Sequence, residues 1–296
     1  MYKITTKEAN ERLKWNLDQK IDHALGTIEQ IYNKNNGNIF VAYSGGKDSC
    51  VLLNIARKFN KDIKGVFYNN GNEHTEIMKY VKKTENIVIH GVEIGMKDVI
   101  EKHGFPLISK HVSSMIERYK KEEDEEKKRD MLNRKKCKIY HIPDKYKFLI
   151  NAPFDISAKC CEYLRKKPAH LFQKNNNNCG ILVGTTIVES QRRFNAYLQT
   201  GCYIKEKNRA MPISIFTEKD IYECVKKFNI ELVCLYKDGC NRTGCRSCGF
   251  GITNISSKLH WNYLKTHQPK QFEQAMNFKN RGVTYKEAFE YIGVKL

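Results

Sequence analysis

The sequence predicts an α/β fold in which helices cover both faces of a parallel sheet. Three observations predict it: short buried strands alternate with helical segments, the connecting loops are short, and a glycine-rich turn joins the first strand to the next helix. A length of 296 residues, 41% of them hydrophobic, suits one large domain or a main domain with an appendage. Wholesale disorder is excluded, although 29% of the residues are charged.

The elements follow in order along the chain. Leucines and isoleucines recur at steps of three and four residues through 5–35, which predicts a helix. Thr217 is a predicted N-cap, ahead of Asp220, for a helix that begins at once. Strands are predicted at 39–43, 63–68, 87–92 and 181–184, and further helices at 50–56, 73–84, 96–103, 161–174 and from 254 to the end.

These elements predict three parts of the chain: an N-terminal helix over 1–36, an α/β domain over 37–253 and a C-terminal helical extension over 254–296. The α/β domain contains a highly charged insertion at 117–138. One interpretation of this insertion is a solvated helix with ion pairs between residues four apart. The other is a movable arm that grips nucleic acid, and its basic residues are Arg129, Arg134, Lys135, Lys136 and Lys138.

Composition narrows the class of partner and the compartment. Lys and Arg number 52 against 33 Asp and Glu, so the net charge of +19 points to a polyanion such as nucleic acid. The chain has no apolar run long enough to span a membrane and no apolar N-terminal leader, so we expect a cytoplasmic protein. In that compartment the 11 cysteines are not a disulfide framework, and a few of them are candidate metal ligands.

The sharpest local signal follows the first predicted strand. Its sequence is Ser44-Gly45-Gly46-Lys47-Asp48-Ser49. Glycines let the backbone turn tightly and present N–H groups to an anion, and the N-terminus of the next helix adds the positive end of its dipole. The spacing is neither that of a Walker A loop nor that of G-x-G-x-x-G. The loop therefore predicts a phosphate site of another kind.

This hexapeptide resembles the PP-loop of the adenine-nucleotide α-hydrolase superfamily. That superfamily includes N-type ATP pyrophosphatases, tRNA thiolation enzymes and the phosphoadenosine phosphosulfate (PAPS) reductase family. The resemblance implies a Rossmann-like parallel sheet of the HUP/PP-loop type and an adenine nucleotide bound by the whole hexapeptide, 44–49. It also implies catalytic roles for Lys47 and Asp48, with Asp48 positioning Mg²⁺ when ATP is the substrate.

Two further segments carry the resemblance to the PAPS reductase family. After the second strand, Asn69-Asn70-Gly71 takes the place of the D-T-G of that family: Gly71 matches, and the two asparagines replace the Asp and the Thr. The same residues are equally typical of a simple turn. The segment 184–193 is similar to G-x-R-x-x-[QE]-S-x-x-R, with Glu189 and Arg193 matching and the first Arg missing. The resemblance implies nucleotide contacts from Asn70, Gly71, Glu189 and Arg193. Lys110 is either a further phosphate contact or an ordinary surface lysine.

The cysteines form a second constellation. Cys160-Cys161 is an adjacent pair, and Cys245-x-x-Cys248 lies far downstream. From spacing alone they are a Cys₄ zinc site, an iron–sulfur cluster, a dithiol or unliganded thiols. Cys240 adds the spacing of plant-type [2Fe–2S] ligation.

The family resemblance narrows this choice. Cluster-bearing sulfonucleotide reductases carry C-C-x-x-[RK]-x-x-P upstream and C-x-x-C downstream around one [4Fe–4S] cluster. Lys166 and Pro168 nearly complete the upstream pattern here. The resemblance therefore implies a [4Fe–4S] cluster, with zinc as the alternative, held by Cys160, Cys161, Cys245 and Cys248, and it leaves Cys240 in reserve.

The C-terminal part of this chain differs from that of the phosphosulfate reductases it resembles. PAPS and adenosine phosphosulfate reductases carry a catalytic cysteine in a mobile C-terminal tail, whereas residues 255–296 contain no cysteine. The first hypothesis is thus a PP-loop ATP pyrophosphatase and sulfurtransferase that acts on tRNA or DNA with a sulfur donor such as a cysteine desulfurase. The alternatives are a phosphosulfate reductase that releases sulfite and a non-catalytic, nucleotide-gated nucleic-acid-binding module.

The C-terminal extension has two interpretations as well. Its aromatic and basic residues form either a helical core with exposed bases or a nucleic-acid surface. The residues concerned are Trp261, Tyr263, Lys265, His267, Lys270, Lys279 and Arg281.

Overall fold

The computed structural model describes residues 3–133, 141–240 and 243–296 and confirms the α/β fold. The chain forms two compact units. The first unit comprises Met1–Asn69, Thr75–Gly91 and Ala169–Tyr236, and the second comprises Asn70–His74, Val92–Pro168 and Lys237–Leu296. The three-part division at 36/37 and 253/254 stays a prediction.

Most elements lie close to where the sequence predicts them. The prediction of helix from 254 to the end is wrong in part, because two short antiparallel strands, at 279–280 and 283–284, interrupt it at a turn in which Arg281 and Gly282 have positive φ. The strands are β1 (Ile39–Ala42), β2 (Lys64–Asn69), β3 (Ile87–Gly91), β4 (Gly180–Val183), β5 (Tyr203–Ile204), β6 (Arg209–Ala210), β7 (Lys279–Asn280) and β8 (Val283–Thr284). The helices of the first half of the chain are α1 (Thr6–Leu13), α2 (Leu17–Lys34), α3 (Lys47–Phe59), α4 (Thr75–Lys83), α5 (Met96–His103), α6 (Lys110–Lys121) and α7 (Glu125–Met131). Those of the second half are α8 (Lys159–Cys161), α9 (Lys167–Asn175), α10 (Gln191–Thr200), α11 (Glu218–Lys227), α12 (Ile255–His267), α13 (Pro269–Met276) and α14 (Tyr285–Tyr291).

The first unit is built on a six-stranded sheet in the order β3-β2-β1-β4-β6-β5. All neighbouring strands run parallel except the short β5, which pairs antiparallel with β6. β1 lies between β2 and β4, with Val41 opposite Gly65 on one side and Leu182 on the other. Parallel strands end at a common edge, so the loops that follow β1 and β4 lie together there.

Apolar residues on both faces of the sheet explain why helices cover it. Phe40 and Ile181 form one buried cluster with Phe172 of α9, and the rings of Phe40 and Phe172 meet edge to face at 5.0 Å. Val41 and Leu182 are fully buried as well, and they alternate with Phe40 and Ile181 along their strands. A strand that is apolar on both faces is typical of parallel sheets.

The single helix predicted over 5–35 is wrong in one respect, because two helices occupy that range. α1 ends at Leu13 and α2 begins at Leu17. Asn16 causes the break: its side chain accepts the N–H of Gln19, while the Gln19 side chain accepts the N–H of Asn16. This reciprocal capping box favours a new helix start over a continuous helix.

A buried ion pair fixes α2 to α11. Lys20 is 2% exposed, and its Nζ donates to Oδ2 of Asp220 at 2.6 Å. Asp220 also accepts from the N–H and hydroxyl of Thr217, which confirms the predicted N-cap. Burial acts to raise the pKa of Asp220, but the hydrogen bonds from Lys20 and Thr217 outweigh it and lower that pKa.

The second unit surrounds an apolar core of its own. Phe105, Trp261 and Tyr285 are fully buried there, and the rings of Phe105 and Tyr285 stack at 4.9 Å. Trp261 therefore belongs to the core, and the interpretation of this residue as part of a nucleic-acid surface is wrong. Among the described residues, no helix is both long and apolar enough to cross a bilayer.

The charged insertion is helical as far as it is described. α6 and α7 carry ion pairs between residues three or four apart, including Lys121 with Glu117 at 2.8 Å and Lys128 with Glu125 at 2.7 Å. This part matches the solvated-helix interpretation. Cys137 and the basic residues predicted for a gripping arm, Arg134, Lys135, Lys136 and Lys138, lie outside the described residues.

Replacing Asp220 tests the buried pair. We expect Asp220→Asn to lower the free energy of unfolding by about 3 kcal/mol, because it leaves the Lys20 ammonium buried and unpaired. The double variant Lys20→Met, Asp220→Asn should recover most of this loss, since no buried charge remains. Urea unfolding followed by circular dichroism measures both values.

The matched control is Glu223→Gln, which breaks the exposed Lys219–Glu223 pair on the same helix. Exposed pairs of this kind contribute well under about 1 kcal/mol. An Asp220→Asn protein as stable as this control would contradict the importance of the buried pair.

Candidate functional site

The predicted phosphate loop, residues 44–49, joins β1 to α3 in the first unit. Gly45 has a positive φ of 71°, and a side chain there would meet Ile77 at 3.2 Å. Ser44 and Ser49 brace the loop, because the Ser44 N–H donates to Ser49 Oγ at 3.2 Å and Ser49 Oγ donates to the Gly46 carbonyl at 2.8 Å. The loop thus holds its shape through its own hydroxyls.

The lysine of the loop is held between two carboxylates. Lys47 Nζ lies 3.4 Å from Asp48 Oδ2 and 3.7 Å from Oε1 of Glu218, the first residue of α11. Burial acts to lower the pKa of Lys47, but Asp48, Tyr236 and Glu218 outweigh it and raise that pKa. The Lys47 backbone N–H donates to the Tyr236 hydroxyl at 2.9 Å. Sequence analysis missed Glu218 and Tyr236.

Gly184 brings the end of β4 against the phosphate loop. A Cβ at this position would lie 3.1 Å from the Asp48 carbonyl oxygen and 3.2 Å from the Ser49 nitrogen. The glycine therefore permits a close approach between the residue after β4 and the first turn of α3. Beyond it, Ser190 caps α10, accepting the Arg193 N–H at 3.3 Å, while the Arg193 guanidinium pairs with Glu189.

The predicted nucleotide contacts thus have different surroundings. Glu189 and Arg193 follow β4 at the edge of the sheet where the phosphate loop lies, and they pair with each other. Asn70 and Gly71 follow β2 but belong to the second unit. Contact of any of these residues with a nucleotide stays a prediction.

The four cysteines predicted as ligands lie in the second unit and form one thiol group, in which the charge of each thiolate affects the pKa of the others. The hydrogen bond to Cys161, burial, and the charges of Cys161, Cys248 and Cys245 all raise the pKa of Cys160. The exposed Arg165 donates from Nη2 to Cys245 Sγ at 3.2 Å, and the thiols raise the pKa of its guanidinium.

One thiol of this group has a pKa below its ordinary value. The hydrogen bond from Cys160 and the charges of Lys110, Arg165 and Lys166 outweigh burial and lower the pKa of Cys161 to about 6. A thiolate, unlike a thiol, is the form that binds metals and attacks electrophiles. Among the residues described, no set of three or more Cys, His, Asp or Glu side chains is placed so that it could hold a metal ion.

The other cysteines have separate environments. Burial raises the pKa of the Cys240 thiol, the reserve ligand of the sequence analysis. Cys234 is exposed. The remaining described cysteines, Cys50, Cys179, Cys202 and Cys224, are buried.

The loop after β2 holds the Cys245–Cys248 turn through polar contacts from Asn72. The Arg246 N–H donates to the Asn72 carbonyl at 2.7 Å, and the Ser247 hydroxyl donates to Asn72 Oδ1 at 2.6 Å. Asn72 is 2% exposed, so these bonds are shielded from water. The loop after β2 is therefore a brace for the cysteine turn, a role that sequence analysis missed.

Two side chains of α12 contact backbone carbonyl groups of the same turn. His260 Nε2 lies 3.2 Å from the Cys245 carbonyl oxygen, and Trp261 Nε1 donates to the Cys248 carbonyl at 3.0 Å. His74 Nε2 lies 3.0 Å from His260 Nε2. Burial, with the nearby His260 and Arg246, lowers the pKa of His74 to about 3, so this ring is neutral at physiological pH.

A strand–loop–helix of this sequence on a parallel sheet defines a PP-loop protein. Residues 38–249 match the phosphoadenosine phosphosulfate reductase domain, and the chain belongs to this family. The match covers β1, the phosphate loop and all four cysteines of the predicted cluster.

The chain is also similar to an uncharacterized protein of Methanocaldococcus jannaschii, with 26% identity over 266 residues. The aligned region covers 88% of this chain but 45% of that relative, so the chain spans less than half of the relative's length.

Three solved structures are similar to the chain. The phosphoadenylyl-sulfate reductase of Candida auris, a phosphate complex, has a TM-score of 0.44 and 11% identity, over 82% of this chain and 96% of that one. The FMN adenylyltransferase of Candida glabrata, in complex with ATP, has a TM-score of 0.42 and 13% identity, over 80% and 67%. The U34-tRNA thiolase NcsA of Methanococcus maripaludis, with its [4Fe-4S] cluster, has a TM-score of 0.38 and 14% identity, over 87% and 80%.

Gly249 offers a test of the packing behind the cysteine turn. A Cβ at this position would lie 2.2 Å from the Pro106 carbonyl oxygen and 2.4 Å from the Tyr285 hydroxyl. We expect Gly249→Ala to lower the free energy of unfolding by at least about 2 kcal/mol, because the packed core must move. Urea unfolding measures the change.

Gly244→Ala is the control, since no heavy atom of the described residues lies within 4 Å of a Cβ at Gly244. Its effect should stay within about 0.5 kcal/mol. Equal effects of the two alanines would refute the packing argument.

Proposed function

We propose that this protein is an ATP pyrophosphatase and sulfurtransferase that modifies a nucleic acid. The observation that carries the proposal is the phosphate loop, which holds a lysine and an aspartate at the first turn of α3 in a chain that also groups four thiols. The acceptor oxygen attacks the α-phosphorus of ATP and pyrophosphate leaves. Sulfur then attacks the activated acceptor and AMP leaves with the acceptor oxygen.

The phosphate loop supplies the first step. Its backbone N–H groups and the N-terminus of α3 stabilise the negative charge that develops on the phosphate. Lys47 adds a cation next to the loop, and Asp48 positions Mg²⁺ bound with ATP. Glycine at 184 supports this role, because it keeps the end of β4 in backbone contact with Asp48.

The thiol group suits a [4Fe–4S] cluster. Four cysteines are the usual ligand set of such a cluster. Zinc is the alternative occupant, because four cysteines are also a usual ligand set for a structural zinc ion. When bound, the cluster supplies activated sulfide for the second step.

The residues around the thiols favour this binding. Cys160, Cys161, Cys245 and Cys248 would hold the cluster. Lys110, Arg165 and Lys166 stabilise the thiolate form that metal binding requires. Asn72, His260 and Trp261 keep the Cys245–Cys248 turn in place.

A nucleic-acid acceptor, tRNA or DNA, accounts for the charge of the chain. The net charge is +19, and basic residues outnumber acidic residues in both units. A small phosphosulfate substrate needs few cations, whereas a polyanion is attracted by many. A cysteine desulfurase is the proposed source of sulfur, delivered as a persulfide from which a thiol reductant releases sulfide while it is itself oxidised to a disulfide.

Purified protein, reconstituted anaerobically with iron and sulfide, tests the proposal. We expect pyrophosphate release and sulfur incorporation when it is given ATP, Mg²⁺, a cysteine desulfurase with cysteine and a thiol reductant, and tRNA or DNA. Lys47→Ala should slow pyrophosphate release by at least about 100-fold, because it removes a cation from the reacting phosphates. Cys161→Ser should abolish sulfur incorporation while pyrophosphate release continues.

Lys61→Ala and Cys234→Ser are the matched controls, since both residues are exposed and lie outside the loop and the thiol group. Both should behave as the unaltered protein does. Absence of pyrophosphate release and of sulfur incorporation with every nucleic acid tried would refute the proposal.

The family match favours phosphosulfate reduction as the second candidate. Against it, residues 249–296 contain no cysteine, and α12 and α14 within them are packed against the cysteine turn. Release of sulfite from PAPS or adenosine phosphosulfate with an added thiol reductant would establish this second function.

A further inference from the structure

Asn72 has a buried side-chain nitrogen for which the described residues offer no hydrogen-bond partner. The residue is 2% exposed, and its Nδ2 atom is shielded from water. A buried donor without an acceptor costs about 1–3 kcal/mol, so such groups are rare in folded proteins. The protein therefore keeps a costly donor at this position.

The hydrogen bonds of the same side chain identify the unpartnered atom as the nitrogen. The two ends of an asparagine amide are told apart by their neighbours, because the oxygen only accepts and the nitrogen only donates. The Ser247 backbone N–H, which can only donate, lies 3.3 Å from Asn72 Oδ1, and the Ser247 hydroxyl donates to this oxygen at 2.6 Å. An exchange of the two amide atoms would set the Ser247 N–H against another donor.

This amide is held at the cysteine turn. Ser247, which donates to Oδ1, stands between Cys245 and Cys248 and is fully buried. The backbone of Asn72 is fixed there as well, because its carbonyl accepts the Arg246 N–H at 2.7 Å. Since Oδ1 and Nδ2 are bonded to one carbon, the nitrogen is held at the same turn as the oxygen.

Sulfur is the acceptor that these surroundings favour. The adjacent carboxylate, that of Glu73, accepts the Asn72 backbone N–H at 3.1 Å and leaves Nδ2 without a partner. Burial raises the pKa of Glu73, and Arg165, which donates to Cys245 Sγ at 3.2 Å, acts against it, so this loop and the thiol group share one electrostatic environment. Hydrogen bonds from N–H groups to sulfur are one means by which proteins set the reduction potential of an iron–sulfur cluster.

We infer that the Asn72 side-chain amide donates a hydrogen bond to a sulfur of the [4Fe–4S] cluster that the four cysteines bind. The inference rests on the proposed function for the presence of the cluster, but it requires neither ATP nor a nucleic acid. A hydrogen bond to sulfur stabilises negative charge, and reduction adds negative charge to a cluster. Asn72 therefore raises the reduction potential, in addition to bracing the turn.

Redox titration of the full-length protein, reconstituted anaerobically with iron and sulfide and without ATP or nucleic acid, tests the inference. Asn72→Ala should lower the reduction potential, because it removes the donor. We expect the equilibrium constant for one-electron reduction to fall by about 10-fold, which corresponds to about 59 mV. The matched control is Ser247→Ala, which removes the hydroxyl bond to Oδ1 but leaves Nδ2 in place, and its potential should equal that of the unaltered protein.

Pulsed electron paramagnetic resonance of the reduced cluster detects the contact directly. In protein whose asparagine side-chain amides carry ¹⁵N, we expect a ¹⁵N coupling to the cluster. The coupling should disappear in Asn72→Asp, which keeps an oxygen acceptor for Ser247 and replaces only the nitrogen. Equal iron and sulfide contents and equal melting temperatures of the variants and the unaltered protein would exclude misfolding as the cause.

The other outcomes overturn the inference. An unchanged or higher potential in Asn72→Ala, or no ¹⁵N coupling in the unaltered protein, would show that the partner of Nδ2 is not sulfur but a group such as an ordered water. Equal falls in potential for Asn72→Ala and Ser247→Ala would show that Asn72 only braces the turn. If the potential and the coupling change as expected while sulfur transfer fails, the proposed function falls and this inference stands; if sulfur transfer occurs while the potential of Asn72→Ala is unchanged, only this inference falls.

Discussion

The parallel pairing of β1 with β4 is the constraint on which the proposed nucleotide site depends. It places the ends of both strands at one edge of the sheet, where Gly184 packs so closely that a Cβ on it would lie 3.1 Å from the Asp48 carbonyl oxygen. The phosphate loop then leads into α3, whose N-terminus faces that edge. A loop of glycines would otherwise sample many conformations, and the strand ends and the Ser44–Ser49 brace restrict it to one.

The cysteine turn is organised by a different kind of interaction. Asn72, His260 and Trp261 are all buried or nearly so, and each makes a hydrogen bond to the turn or to its side chains. Breaking one of these bonds would leave a polar group unsatisfied in the interior, which costs more than the bond contributes. The turn is therefore held through its backbone groups and the Ser247 hydroxyl.

Opposite charges are arranged differently in the two units. At the phosphate loop, Asp48 and Glu218 offset the charge of a lysine, whereas at the thiols Lys110, Arg165 and Lys166 favour negative sulfur. The first arrangement suits a site that receives its anion together with Mg²⁺. The second suits groups that must lose protons before they bind metal.

Local signals in the sequence determined much of this protein. The strand–helix alternation, the glycine-rich loop and the Thr217 cap depend on residues at most a few positions apart, so their geometry follows from their order. The capping box at Asn16 is equally local, so the sequence contains the information that predicts it. It was missed because the helical periodicity continues across 5–35. The paired cysteines were likewise recognisable from their spacing.

The tertiary structure alone decided which distant residues complete these local motifs. Tyr236 meets Lys47 across 189 positions, Ser247 meets Asn72 across 175, and His260 meets His74 across 186. Each of these residues acquires its role only when folding places it beside its partner. A hydrogen bond depends on distance in space, and only the packing of the strands and helices brings such residues within 3 Å of each other.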